Sequence, residues 1–214
     1  MNLYDDRVQT AIRLAKNMLV ESIWTSAHIE GYKTTFDDTE EIIYGNEDIT
    51  AYSNEMLFII GMRDAWQFLL ENVDAKDNLL FIRELNTIYG HYLIHGCGEV
   101  RTTNVYIKGS SYVPHIPTTL EILADIDKIN EIVDPVRRAI VYFCYLCKKQ
   151  IFIDGNKRIA QLMCNKVLIE NGIGIMSIPV RWQDDWYKFL LEFYETGKST
   201  NLIRFIHSKC LKRV

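Results

Sequence analysis

Asp154, Gly155, Asn156, Lys157 and Arg158 stand consecutively between two helical patterns. One acid, a Gly-Asn pair and two cations at a helix entry are suited to an anion. Backbone N–H groups in the first turn of a helix lack partners, and the helix dipole favours negative charge there. Gly155 permits a sharp turn and close approach of a ligand. Lys157 and Arg158 add positive charge, and an arginine grips phosphate with two parallel hydrogen bonds. Asp154 is a hard oxygen ligand suited to Mg²⁺ that also touches phosphate. On spacing alone the favoured reading is plainer: an Asp-Gly-Asn turn with a solvated Lys-Arg helix start.

The elements that must position this loop follow from periodicity. Residues 139–147 form an apolar run that reads as a helix buried on all sides, opened by Asp134-Pro135 and delivering Gln150. Ile159, Leu162, Met163, Val167 and Leu168 give the following helix its apolar face, and Gly172 and Gly174 end it. Upstream, residues 4–29 read as one helix with a Val8, Ile12, Ala15, Leu19, Ile23 stripe, stopped by Gly31. Ser26 and Glu30 share a face near its end. Further helices are predicted from Thr34-Thr35 to about Gly45-Asn46, over 50–72, over 78–93 and over 118–132. Aromatic-rich residues 179–197 and short 202–211 complete the set. Between Gly96 and Pro117 the pattern changes to β-prone pieces at 99–107 and 112–114. A hairpin turning at Lys108-Gly109-Ser110-Ser111 is expected there. The fold class is therefore mainly α, with one small hairpin.

The chain has 214 residues, 48% hydrophobic and 24% charged, which suits one globular unit with an ample core. A net charge of −4 argues against general nucleic-acid affinity. Five cysteines without paired spacing read as reduced cytoplasmic thiols. The start of the chain lacks the pattern of a signal peptide, and no apolar run is long enough to cross a bilayer. His91 and His95 are four apart but lack further ligands at metal-site spacing, so they read as structural or exposed. Cys144 and Cys147 read as core packing.

The stretch Gln150-Ile151-Phe152-Ile153-Asp154-Gly155-Asn156-Lys157-Arg158 resembles the signature loop of the Fic (Fido) family, with Gln150 where the family has its His. Ser26-Ala27-His28-Ile29-Glu30-Gly31 is similar to that family's inhibitory motif. The segment after Gly98-Glu99-Val100-Arg101, including Lys108, Gly109, Ser110, Ser111 and Tyr112, resembles its flap. The resemblance implies a helical Fic-type bundle in which residues 1–33 are an inhibitory helix packed on a 34–214 catalytic unit. It implies transfer of AMP from ATP to a Ser, Thr or Tyr hydroxyl of a target protein, itself included. Asp154 would hold Mg²⁺. Gly155, Asn156, Lys157, Arg158 and Gln161 would contact the nucleotide, with Asn156 and Arg158 also serving catalysis. Phe152 would anchor the loop. Ser26, Glu30 and Gly31 would inhibit, and the flap edge would hold the target by strand addition. A homo-oligomer is compatible with this reading, and neither nucleic acid nor membrane is expected as a partner.

Three departures from the family pattern carry consequences. Gln150 cannot accept a proton near neutral pH, so the family's general base is missing. Lys157 replaces a common Gly, and relatives with Asn-Lys-Arg include a class that transfers the γ-phosphate. Gln161 stands where many members have a second Arg, so Glu30 is expected to pair with Gln161 or Arg158, in a looser lock. Three readings follow: a slow, autoinhibited AMP transferase; a silent nucleotide- or partner-binding protein; and a transferase of another phosphate-containing group.

Overall fold

The computed structural model describes residues 3–45 and 53–214. The predicted helix stop at Asn46 and residues 50–52 of a predicted helix lie outside the described residues. The helices, in chain order, are α1 (Leu3–Asn17), α2 (Leu19–Ile29), α3 (Phe36–Tyr44), α4 (Asn54–Glu71), α5 (Leu79–Gly90), α6 (Thr119–Asn130), α7 (Pro135–Lys149), α8 (Asn156–Glu170), α9 (Gln183–Thr196) and α10 (Thr200–Phe205). Their starts follow local chemistry. Thr35 with Asp38 and Thr118 with Glu121 form capping boxes at α3 and α6. Asp134 accepts the Arg137 N–H at 2.6 Å, with Pro135 in the first turn of α7.

The centre of the core is α8, packed along α7 and touched by α1, α4 and α5. Val141 and Tyr145 of α7 are only half-buried, whereas residues 158–169 of α8 are all buried. The helix enclosed on all sides is therefore α8, not the apolar run at 139–147. Its sequence hides this because Asn165 and Lys166 are buried and paired. Asn165 accepts from the Met176 N–H at 2.6 Å and donates to the Met176 carbonyl at 3.0 Å. Lys166 Nζ meets Asp77 at 2.7 Å, Glu170 at 2.5 Å and the Ala75 carbonyl, and Arg138 reaches Glu170 at 2.9 Å.

Three expectations are corrected. The helix over 4–29 is two helices, joined at Met18 (φ −103°, ψ 12°). The hairpin at 99–114 has no strand ladder. Its turn is present, Ser110 N–H donating to the Ile107 carbonyl at 3.1 Å, but the flanking pieces have no regular structure and are unpaired with each other. The antiparallel pair lies elsewhere, between β1 (Gly174–Met176) and β2 (Leu211–Arg213), with Ile175 opposite Lys212. The helix expected over 202–211 stops at Phe205, winds through a π turn at Ile206–Cys210 and enters β2. His91 and His95 are exposed, and Cys144 and Cys147 lie in the core. Among the described residues no helix is long and apolar enough to cross a membrane.

Candidate functional site

The loop from Gln150 to Gly155 joins the end of α7 to the start of α8. Gln150 ends α7 with φ 50° and ψ 64°, the sole non-glycine at positive φ among the described residues. That conformation strains an L-residue by about 1–2 kcal/mol, so its neighbours must hold it. Its carbonyl accepts from Arg101 Nε at 2.5 Å. Its amide donates to the Cys147 carbonyl at 2.6 Å and accepts from Asn156 Nδ2 at 3.0 Å. The Gln150 side chain is thus committed at both polar ends.

Asn156 also closes the loop, accepting from the Phe152 N–H at 2.9 Å and donating to the Phe152 carbonyl at 2.8 Å. Phe152 itself is buried. Gly155 has φ 85°, and a Cβ there would meet Asn86 Nδ2 at 2.7 Å. Asn86, fully buried on α5, donates to the Asp154 carbonyl at 3.1 Å and accepts from the Gly98 N–H at 2.7 Å. Among the described residues, the N–H groups of Asn156 and Lys157 at the start of α8 have no internal acceptor. Unpartnered N–H groups in the first turn of a helix are the kind of group that binds an anion.

Charges alternate across the loop mouth. Glu30, at the end of α2, sits 3.1 Å from Lys157 Nζ and 2.7 Å from Arg158 Nη1. Arg158 Nη2 meets Asp154 Oδ1 at 2.5 Å. Burial works against the Arg158 charge, but Glu30, with help from Asp154, outweighs it and holds the guanidinium above the ordinary arginine range. The rings of Tyr89 and Phe58 lie 5.0 and 5.9 Å from the guanidinium carbon. Ser26 Oγ donates to Gln161 Oε1 at 3.0 Å. Of the two expected partners of Glu30, the structure selects Arg158, adds Lys157, and gives Gln161 to Ser26. Gly31 follows at φ 91° and turns the chain away.

These groups border a cleft of about 160 Å³ lined by Glu30, Gln150, Asp154, Asn156, Lys157 and Arg158 on the loop side. Val105, Tyr106, Ile107 and Lys108 of the flap segment and Tyr187 and Tyr194 of α9 form its other walls. Gly109, Ser110, Ser111 and Tyr112 do not line it and run along α9 instead. Binding clefts for small molecules usually enclose about 300–1,000 Å³. Here the Glu30 carboxylate takes part of that room. Asp154 keeps its side chain 64% exposed. One exposed carboxylate beside the start of a helix suits Mg²⁺, since this ion takes most of its remaining ligands from water and substrate phosphates. Among the described residues no cluster of three His, Cys, Asp or Glu is present, so a metal held by protein alone has no cage here.

Sequence reasoning missed Asn86 as a support and did not assign Arg101 its role. Arg101 is 3% exposed. Besides Gln150 it donates to the carbonyls of Thr103 at 2.7 Å, Pro114 at 3.2 Å and His115 at 2.7 Å. One guanidinium thereby ties both ends of the flap segment to the loop. A buried arginine among polar residues gives no sequence signal for four carbonyl acceptors.

Comparison with known proteins agrees with this geometry. Residues 76–168 match the family model described as Fic/DOC family. The chain is 27% identical over 94% of its length to the protein adenylyltransferase Fic of Nematostella vectensis, covering 49% of that protein. It is 28% identical over 78% of its length to protein adenylyltransferase fic-1 of Caenorhabditis briggsae, covering 35% of it. The chain thus spans half or less of these relatives. Its fold matches a structure of Fic-1 from C. elegans with a TM-score of 0.77 at 21% identity, over 95% of this chain and 68% of that one. A Fic domain containing signaling protein from Bacteroides thetaiotaomicron matches at 0.73 and 22% identity, over 91% and 82% of the two chains. The stretch from just before α5 through the Asp-Gly-Asn-Lys-Arg loop and nearly all of α8 is a Fic/DOC family domain.

Proposed function

We propose that the protein is a Fic-type adenylyltransferase that moves AMP from ATP to a Ser, Thr or Tyr hydroxyl of a polypeptide, itself included. In this reading Glu30 autoinhibits it and the lack of a base at Gln150 slows it. The observation that carries the proposal is the Glu30 carboxylate seated on both cations of the loop, Lys157 and Arg158. A carboxylate in that position mimics a phosphate and competes with one. Residues 1–33 then act as the regulatory segment and residues 34–214 as the transferase, in the cytoplasm.

The target hydroxyl oxygen attacks the α-phosphorus of ATP, the bond to the pyrophosphate oxygen breaks, and an AMP ester forms. Arg158 and Lys157, once freed from Glu30, bind the departing phosphates. The free N–H groups at the start of α8 receive charge building on phosphate oxygens. Asp154 and the triphosphate would hold Mg²⁺, which neutralises phosphate charge when bound. Gln150 takes no proton, so the hydroxyl proton leaves to water. Flap residues 105–108 border the cleft, where an acceptor segment would lie.

Titration with Mg·ATP, followed by incubation with ATP labelled at the α- or the γ-phosphate, tests this. Glu30→Gly protein is expected to bind Mg·ATP more tightly than the parent and to incorporate α-label. Incorporation from γ-labelled ATP alone would instead assign phosphoryl transfer, for which Lys157 is the motivating residue. Binding without incorporation, even with Gln150→His, would leave a nucleotide-binding protein that performs no transfer.

A further inference from the structure

The flap segment borders the proposed acceptor site yet belongs to no sheet, so something else must hold it. At its base, Arg101 gathers the carbonyls described above. At its tip stands Glu195 on the last turn of α9. This carboxylate accepts from Ser110 Oγ at 2.5 Å, from the Ser111 N–H at 2.6 Å and from Ser111 Oγ at 2.6 Å. Beside it, Tyr187 Oη donates to the Lys108 carbonyl at 2.7 Å. Gly109, at φ 81°, lets the turn close against that phenol, where a Cβ would lie 2.7 Å from the oxygen.

Glu195 stands where a helix disfavours it. The C-terminal end of a helix dipole is negative, and an acid there is unfavourable. Lys148 offsets this by donating to the carbonyls of Phe193 and Tyr194, each at 3.0 Å, while lying 4.3 Å from the Tyr112 ring centre. The bonds from Ser110, then those from Ser111, hold the Glu195 carboxyl down to about 2, so it is ionised at any working pH. Three donors converging on one solvent-facing carboxylate are not needed for a core; Glu195 is exposed. Their common effect is to fix the flap tip on α9.

We propose that Glu195 is a positioning residue: it anchors the flap tip and thereby sets residues 105–108 at the rim of the cleft for an incoming polypeptide. The inference rests on the transferase reading for its purpose, but not for its geometry. Glu195 touches neither the loop cations nor Asp154, so nucleotide binding is independent of it. Unpaired backbone groups of an extended segment recruit a partner strand only when the segment is already held straight, because ordering it on binding costs affinity.

The test uses the full chain. In Glu195→Ala, amide hydrogen exchange at Ser110, Ser111 and Tyr112, whose N–H groups are bonded in the anchored turn, is expected to rise about tenfold, the scale of losing one hydrogen bond to a charged group. Glu195→Gln, which keeps an acceptor but not the charge, should fall between. In the Glu30→Gly/Gln150→His background, labelling of a mixture of extended Ser-, Thr- and Tyr-containing peptides should need several-fold more peptide for half-maximal rate after Glu195→Ala. The maximal rate and the half-saturating ATP concentration should stay unchanged. Unchanged exchange at Ser110, Ser111 and Tyr112, or a lower maximal rate at unchanged peptide dependence, would overturn the assignment. A background protein that labels no peptide would count against the transferase reading, and the exchange comparison would still decide whether Glu195 anchors the flap.

Discussion

At the residue scale, the proposed transferase makes two side chains, Gln150 and Glu30, set the output of the site, and each is replaceable without rebuilding the loop. Gln150 holds a left-handed backbone that histidine adopts more readily than most residues. Gln150→His is therefore expected to fold and, in a Glu30→Gly background, to raise the labelling rate by about 10²- to 10⁴-fold, the usual yield of general base catalysis. The initial rate with α-labelled ATP measures this, and no gain would show that proton removal does not limit transfer. Glu30→Gly frees Arg158 and Lys157 together, so Mg·ATP affinity should rise at least tenfold by calorimetry, about 1.4 kcal/mol. Equal affinity would mean that these cations do not meet the nucleotide. The acid, the Gly-Asn pair and the cations were legible because they are adjacent in sequence. Asn86 and Arg101 were not, because their partners in the loop, Asp154 and Gln150, lie 68 and 49 positions away and are met through backbone carbonyls.

At the element scale, the legible features were those written in periodicity and caps. α3, α5, α6 and α7 start where Thr, Asn and Asp caps stand. The break at Met18 was hidden because no Gly or Pro marks it. The flap was misread as a hairpin because β-prone residues and a Gly turn normally imply a ladder, whereas here Arg101 and Glu195 replace one. The burial of α8 was masked by Lys166, which reads as a surface residue until Asp77 and Glu170 are seen beside it. Lys166→Met tests that network. It leaves two carboxylates facing each other in a buried place, and breaking such a network costs about 3–5 kcal/mol. Urea denaturation should show the loss, whereas a change below about 1 kcal/mol would mean that the acids simply take up protons or water.

At the scale of the whole molecule, the question is whether the segment proposed to inhibit can leave. The resemblance divides the chain into a regulatory 1–33 and a catalytic remainder, but the packing makes these one body. Ala11, Ala15, Val20, Ile23 and Ala27 belong to the same core cluster as α8. Gly172 comes so close to α1 that a Cβ would lie 2.6 Å from Arg7 Cβ. The Gln183 amide donates to the Thr25 carbonyl at 2.9 Å, stitching α2 to α9. Val20 and Ile23 alone contribute about 3–6 kcal/mol through burial, against a typical total of about 5–15 kcal/mol. Removal of residues 1–33 should therefore yield an unfolded or aggregating chain rather than an unlocked enzyme. Glu30→Gly should keep a cooperative thermal transition near that of the parent, and release of the lock is then a local movement of the Glu30-Gly31 turn. Near-ultraviolet circular dichroism and a thermal melt of both proteins distinguish the cases. A truncated chain that melts cooperatively and binds Mg·ATP would show that α1 and α2 are a detachable arm after all.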